Sequence, residues 1–228
     1  MSVKSFPGGL IFDLDGTLVD SVPDIAGALN ELMGLHGLAA HGVPAVMRMI
    51  GHGVPNLVER AFTAHGVTLD GGLLEAEVRT YLGLYEPRAT RDTRLFPHVA
   101  ETLALFAARN IPMAVCTNKP TAVSREIVAS FGLSDLLPVV VGGDFGPPRK
   151  PAPDLLWKAA ELIGVDPRQA VMIGDSGADV AAARAAEMPV IVVEYGYTSV
   201  APADLGADRV IASFAELSAA LGTLRETA

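Results

Sequence analysis

Six short apolar, β-leaning runs divide this chain: Gly9 to Phe12, Pro112 to Cys116, Val139 to Val141, Ala170 to Ile173, Val190 to Val193 and Arg209 to Ile211. Runs of this length, bounded by turn residues, read as buried strands. Helical patterns fill the gaps between the later ones, over Thr121 to Phe131, Pro153 to Ile163 and Asp179 to Glu187. Such alternation predicts an α/β chain, a parallel sheet with helices on both faces and right-handed crossovers.

The interval between the first and second runs is different. From about Ser21 to Thr90 no convincing strand is legible, while apolar residues recur at helical spacing. Ser21-Val22-Pro23-Asp24 reads as a helix start, with Ser or Asp as cap and Pro in the first turn, followed by Ile25, Leu29 and Leu32. A second helix runs through Leu57, Val58, Ala61 and Phe62, and a third spans Leu73 to Tyr85. The expected organisation is an α/β core from residues 1–20 and 91–228, with a small all-helical domain, residues 21–90, inserted after the first strand. The charged stretch from Arg88 to Arg94 reads as the return linker.

Half of the 228 residues are apolar, ample for a core of this kind. No run of about 18 or more apolar residues escapes both charges and breakers, so no membrane span is expected. Lys4 is followed by Pro7, Gly8, Gly9 and Asp13, which spoils a secretory signal. Cys116 is the single cysteine; it excludes an internal disulfide framework and fits a reducing compartment, so a cytoplasmic location is expected. A net charge of -9 offers no basic stripe for a nucleic-acid backbone. An anionic ligand would have to be gripped locally rather than steered by a basic field.

The polar ends of the runs carry the chemistry. The first ends in Asp13 and Asp15, with Gly16 and Thr17 behind them. Two carboxylates at one strand mouth repel unless a cation lies between them. The second run ends in Thr117-Asn118. The third is followed by Gly142-Gly143-Asp144 and then Arg149-Lys150-Pro151. The fourth ends in Gly174-Asp175-Ser176-Gly177-Ala178-Asp179. Taken singly, each has a plain reading: Asp-Gly-Thr is ordinary turn chemistry, Asp175 a helix N-cap, Asp179 a first-turn acid, Lys150 a solvated lysine. In an open α/β sheet, however, ligands sit outside the carboxyl ends of the strands. All these groups are therefore expected to meet in one divalent-cation and phosphate site.

Oxygen ligands without a nearby histidine favour a hard ion such as Mg²⁺. Asp13 and Asp175 are the candidate direct ligands; Asp179 either binds directly or supports the shell. Asp13 can act as nucleophile and form an aspartyl-phosphate, with Lys150 offsetting the gathering negative charge. Asp15 would protonate the departing alcohol and then take a proton from water. Thr117, Asn118, Gly16 and backbone N–H groups are the candidates for holding phosphoryl oxygens. In the insert, Gly51-His52-Gly53-Val54-Pro55-Asn56 reads as a tight turn feeding a helix whose open N–H groups suit a small carboxylate, or else as a simple loop. Arg48 is a further candidate there, with a solvated face as its plain reading. Cys116 is expected to be a core thiol and Trp157 to pack. His36, His41, His65 and His98 are assigned no role.

On these residues the chain resembles the haloacid dehalogenase-like superfamily of aspartate-nucleophile phosphatases. Phe12-Asp13-Leu14-Asp15-Gly16-Thr17-Leu18-Val19-Asp20-Ser21 is similar to its first motif, and Val115-Cys116-Thr117-Asn118-Lys119-Pro120 to its second. Arg149-Lys150-Pro151-Ala152-Pro153-Asp154 is similar to the third, and Gly174-Asp175-Ser176-Gly177-Ala178-Asp179 to the fourth. The resemblance implies a Rossmann-like parallel-sheet core with an inserted all-helical cap. It also implies metal ligation by Asp13, the backbone carbonyl of Asp15 and Asp175, with Asp179 in support. Asp15 sets the chain apart from the dehalogenases, whose reaction has no leaving alcohol to protonate. Phosphonate hydrolases depart from Asp-x-Asp-Gly-Thr, whereas sugar phosphomutases keep both aspartates.

Within the superfamily the chain looks most like the phosphoglycolate phosphatases, above all at Thr117-Asn118-Lys119-Pro120 and Ile50-Gly51-His52-Gly53. The implied activity is Mg²⁺-dependent hydrolysis of a small phosphorylated metabolite, 2-phosphoglycolate first, by a monomer or homodimer. The alternatives are a phosphatase of a sugar phosphate, nucleotide or pyrophosphate, a sugar phosphomutase, or a non-catalytic phosphate-binding regulator. One departure stands out: Glu187 occupies a helix end where relatives have glycine, and a left-handed conformation there would cost stability.

Overall fold

Side-chain alternation along the apolar runs builds the centre of the molecule. The computed structural model describes residues 7–146 and 148–224, so Lys4 of the N-terminal reading lies outside it. In chain order come β1 (Gly9–Phe12), β2 (Val19–Asp20), α1 (Val22–Leu35), α2 (Val43–Met47), α3 (Val54–Thr63), α4 (Gly71–Tyr85) and β3 (Arg94–Leu95). There follow α5 (Val99–Ala107), β4 (Met113–Cys116), α6 (Thr121–Ser130), β5 (Val139–Val141), α7 (Asp154–Leu162) and β6 (Ala170–Gly174). The chain ends with α8 (Gly177–Ala185), β7 (Val190–Val193), β8 (Arg209–Ile211) and α9 (Leu217–Leu224). Six strands form one parallel sheet in the order β5-β4-β1-β6-β7-β8.

Because successive residues of a strand point to opposite faces, each strand feeds two cores. Leu10, Phe12, Met113, Val115, Val171, Ile173, Ile191 and Val193 join one cluster with α5, α6 and α9. Ile11, Ala114, Cys116, Ala170, Met172, Val190 and Val192 join the other with α7 and α8. The first cluster runs on without a break into the helical insert, through Ile25, Leu29, Leu32, Val58, Phe62, Tyr81 and Tyr85. Phe12 lies 5.9 Å from the Phe214 ring, centroid to centroid. Each such buried side chain stabilises the fold by about 1.5–3 kcal/mol.

The strand order reverses around β1, whose neighbours are β4 and β6. Residues leaving the carboxyl ends of these three strands therefore face one another across a crevice, the usual ligand position in an open α/β sheet.

Several expectations change. A two-stranded antiparallel ribbon, β2 with β3, pairs Val19 with Leu95 and Asp20 with Arg94, so the return segment is partly strand rather than plain linker. Neither Ser21 nor Asp24 caps α1 through its side chain. Instead the buried Asp24 carboxylate accepts from the N–H groups of Asp92 and Thr93 and from the Thr93 hydroxyl at 2.7–3.1 Å. It thereby ties the way into the insert to the way out. Trp157, expected to pack, is 46% exposed on α7. Glu187 does adopt the left-handed conformation expected of it, with φ 55°.

Candidate active site

Asp13 is the first residue beyond β1, and its N–H still donates to the Ile173 carbonyl at 2.9 Å. That bond fixes the side chain at the mouth of the central strand. Its Oδ1 accepts from the Leu14 N–H at 2.7 Å and lies 3.1 Å from Lys150 Nζ. The Lys150 ammonium also donates to Asp179 Oδ1 at 2.6 Å and to the Cys116 carbonyl at 2.9 Å. An ammonium so deeply buried persists only because it is fully paired, and its acidic neighbours hold its pKa above the ordinary value despite burial.

Asp175 follows β6 and is buried beside them. Its Oδ2 accepts the Tyr197 N–H at 2.7 Å and its Oδ1 the Thr17 hydroxyl at 3.2 Å. Carboxylate oxygens of Asp13, Asp175 and Asp179 lie within 4.8 Å of one another. Both Asp179 oxygens are engaged: Oδ1 holds Lys150, and Oδ2 accepts from the Ser176 N–H at 3.0 Å and hydroxyl at 2.6 Å. The second set is the capping box of α8, so one residue starts the helix and fixes the lysine.

Burial first, then repulsion from Asp179 and Asp15, lifts the Asp13 carboxyl to about 7 although Lys150 pulls it down. Burial, Asp179 and Asp13 likewise push Asp175 well above the carboxylate range. Among the described residues, the ammonium groups paired with Asp13, Asp15 and Asp179 are those of Lys119 and Lys150. Ionising these three and Asp175 would leave two negative charges without a partner among oxygen donors alone, which is what a hard divalent cation would offset.

Asp15 is held differently. Ser21 Oγ donates to its Oδ1 at 2.6 Å, and Lys119 Nζ lies 3.0 Å from both of its oxygens. The Lys119 ammonium also sits 4.5 Å from the centroid of the Tyr85 ring, which reaches it from α4. Thr117 and Asn118 leave β4 beside this pair. Asn118 Nδ2 bridges the core to the insert, donating to the carbonyls of Lys150 at 2.8 Å and Gly51 at 2.9 Å.

Gly16 has φ 82° and lies against Asp175, whose carboxylate a Cβ would strike. Its N–H is spent on the Val19 carbonyl at 2.9 Å, so what this expected phosphate contact contributes is space. Gly51, His52 and Gly53 line, with Asp13, Asp15 and Asp175, one cavity of about 310 Å³ between the sheet and the helical insert. α3 begins at Gly53 without a side-chain cap. Partial burial and the nearby Arg60 guanidinium lower the His52 pKa, which favours a neutral imidazole.

The structure thus brings Asp13, Asp15, Thr117, Asn118, Lys150, Asp175 and Asp179 to one end of the sheet, with Gly51, His52 and Gly53 opposite. Sequence reasoning missed Lys119 as the partner of Asp15, although it sits inside the second motif. It also missed Arg149, which donates to the Gly143 carbonyl at 2.8 Å and lays its guanidinium against Gly53. Tyr197 was missed too; it joins Asp175 to the linker, its hydroxyl accepting from the Ser21 N–H and donating to Asp20. Its signal was faint, a tyrosine in an apolar-aromatic stretch with no motif around it.

Comparison with known proteins agrees with this geometry. The model of the haloacid dehalogenase-like hydrolases matches residues 8–187. A phosphoglycolate phosphatase of Rhodospirillum rubrum is 41% identical over 220 residues, 95% of this chain and 91% of that protein. One from Caulobacter vibrioides is 38% identical over 215 residues, 94% and 91% of the two chains. Among solved structures, a predicted phosphoglycolate phosphatase of Haemophilus somnus superposes with a TM-score of 0.86 at 31% identity, covering 97% of this chain and 98% of that one. CbbY of Rhodobacter sphaeroides, solved in complex with phosphate, superposes with a TM-score of 0.80 at 26% identity, covering 96% and 100%. With four motifs assembled at the switch point of a parallel sheet and most of its length matched, the chain belongs to the haloacid dehalogenase-like hydrolase family.

Proposed function

We propose that this protein hydrolyses a small organic phosphate monoester, with 2-phosphoglycolate the favoured substrate, through an aspartyl-phosphate on Asp13. The observation that carries this reading is the buried set of Asp13, Lys150 and Asp175, opening on a cavity beside Asp15. The names of the Rhodospirillum and Caulobacter relatives support the substrate, and the phosphate held by CbbY supports the ligand class.

An Asp13 oxygen attacks phosphorus and the phosphorus–ester oxygen bond breaks in line. Asp15 gives its proton to the departing oxygen. A water molecule then attacks phosphorus, giving its proton to Asp15, and the acyl-phosphate bond breaks to release phosphate and restore Asp13. Lys150, fixed by Asp179, offsets charge on the phosphoryl oxygens, and Thr117 positions them. Asp13, Asp175 and the Asp15 carbonyl are the groups suited to hold Mg²⁺, with Asp179 supporting through Lys150. The ion, when bound, supplies positive charge against the phosphoryl oxygens. Residues 21–90 act as the cap, with Gly51, His52 and Gly53 facing the leaving group. The protein works in the cytoplasm on a free metabolite, as a monomer or homodimer.

Phosphate release from a panel of monoesters with Mg²⁺ tests the reading. Asp13→Asn is expected to lose at least about 10³-fold in turnover while keeping its thermal transition. Retained turnover in that variant would refute the nucleophile. Isomerised sugar phosphate in place of free phosphate would convert the reading to a phosphomutase.

A further inference from the structure

Apart from the three acids of the phosphate end, the charged groups lining the cavity are Lys119, Arg48 and Arg60. Of these, Lys119 is the buried one, at 6% exposure. Its ion pair with Asp15 is not needed to orient that carboxylate, because the Ser21 hydroxyl already holds Asp15 Oδ1 at 2.6 Å. The Tyr85 ring lies 4.5 Å from the ammonium, and the Tyr85 hydroxyl is buried with no hydrogen-bond partner among the described residues, although Tyr85 lines the cavity. Buried polar groups in this condition are costly unless something completes them. A positive wall with an unused donor calls for an anion besides the phosphate.

We propose that Lys119 selects the leaving group, its ammonium binding a carboxylate carried on the carbon next to the ester oxygen, with the Tyr85 hydroxyl as a second donor. This rests on the hydrolase reading above and adds a core-side contact to the cap loop. The reach is favourable. An ester oxygen hydrogen-bonded to Asp15 lies about 2.7 Å from that carboxylate, and Lys119 Nζ lies 3.0 Å from the same oxygens. A carboxylate that begins two bonds beyond the ester oxygen therefore comes within contact of the ammonium. A substrate with a neutral group there leaves Lys119 facing only Asp15 and the Tyr85 ring. The stack of Tyr81 on Tyr85, 5.6 Å between centroids, fixes the donor from beneath.

The test compares kcat/KM for 2-phosphoglycolate and ethyl phosphate, which share the ester oxygen and its carbon but differ in the carboxylate. The wild-type protein is expected to prefer 2-phosphoglycolate. Lys119→Met, which keeps the stem and removes the charge, is expected to shrink that preference by roughly 30-fold or more. Lys119→Arg should keep part of it. Tyr85→Phe, which preserves the packing and so guards against a Lys119 variant that does not fold, should shrink it by roughly 5-fold. Equal losses on both esters in Lys119→Met, with the preference of Tyr85→Phe unchanged, would overturn the assignment and leave Lys119 a holder of Asp15. A wild-type protein that releases phosphate from monoesters without preferring the carboxylate would overturn this assignment alone. One that releases phosphate from no monoester overturns the hydrolase reading with it.

Discussion

Single residues in this protein do two jobs when chemistry and folding want the same geometry. Asp179 closes the capping box of α8 with one oxygen and anchors Lys150 with the other. Cys116 shows the converse, a reactive group made inert. Its thiol is fully buried in β4, and burial, with Asp13 and Asp179 adding to it, outweighs Lys150 and pushes it up to about 12. Little thiolate exists at pH 8, so a thiol-specific reagent is expected to label no cysteine in the native protein and one after denaturation. Glu187 stands at the left-handed end of α8, where the Met188 and Glu187 N–H groups bond back to the Ala183 and Arg184 carbonyls. That arrangement is a Schellman motif, which favours glycine at this position. Its ion pair with Arg168 is exposed and recovers little. Glu187→Gly is therefore expected to stabilise the protein by about 0.5–1 kcal/mol, seen as a rise of a few degrees in a thermal melt.

At the scale of elements, the junction between sheet and insert is built by hydrogen bonds rather than by apolar packing alone. The β2–β3 ribbon brings the two connecting segments side by side. Asp24, in the first turn of α1, then spans them by accepting three donors from residues 92 and 93. Asp24→Asn keeps the shape but turns an acceptor-only group into one whose amide hydrogens face N–H donors. A loss of about 2–3 kcal/mol in stability is expected, with faster amide exchange at Thr93 than at the strands of the sheet. Exchange at Thr93 unchanged from wild type would show that packing, not Asp24, holds the junction. Asn118 makes the other cross-link, tying the end of β4 to Gly51 in the helical insert. The open N-terminus of α3 then faces the same cavity as Asp13, Asp15 and Asp175.

Across the whole molecule, stability and function meet in the acidic cluster. In the absence of a cation, the folded Asp13 titrates near 7 and Asp175 above the carboxylate range, against about 4 for an unfolded aspartate. Between these values the folded state binds more protons than the unfolded one. Stability then falls as pH rises from about 4 through about 7. In EDTA the thermal midpoint should therefore decline across this window, and saturating Mg²⁺ should flatten the decline and raise the midpoint through preferential binding to the folded state. Parallel curves with and without Mg²⁺ would count against the cation site.

Much of this was legible before any coordinates. The strands β1, β5, β7 and β8 were bounded to the residue, because a buried strand announces itself by an unbroken apolar run between turn residues. The site aspartates, Thr117 and Lys150 were legible for a related reason: in a parallel sheet, position along the chain at a strand's carboxyl end already implies position in space. Helix α5 was passed over because its apolar residues surround it almost completely and leave no periodic face, and β2 and β3 because two residues carry no period. Long-range polar partners were beyond reach. Lys119 meets Asp15 from 104 residues away, and Tyr197 meets Ser21 from 176. Hydrogen bonds and ion pairs depend on distance and angle to within fractions of an ångström, which no spacing in the sequence encodes. Residue order by itself determined which groups reach the end of the sheet; only the way the segments beyond the strands pack together decided which of them touch, Lys150 with Asp13 and Asp179, Lys119 with Asp15.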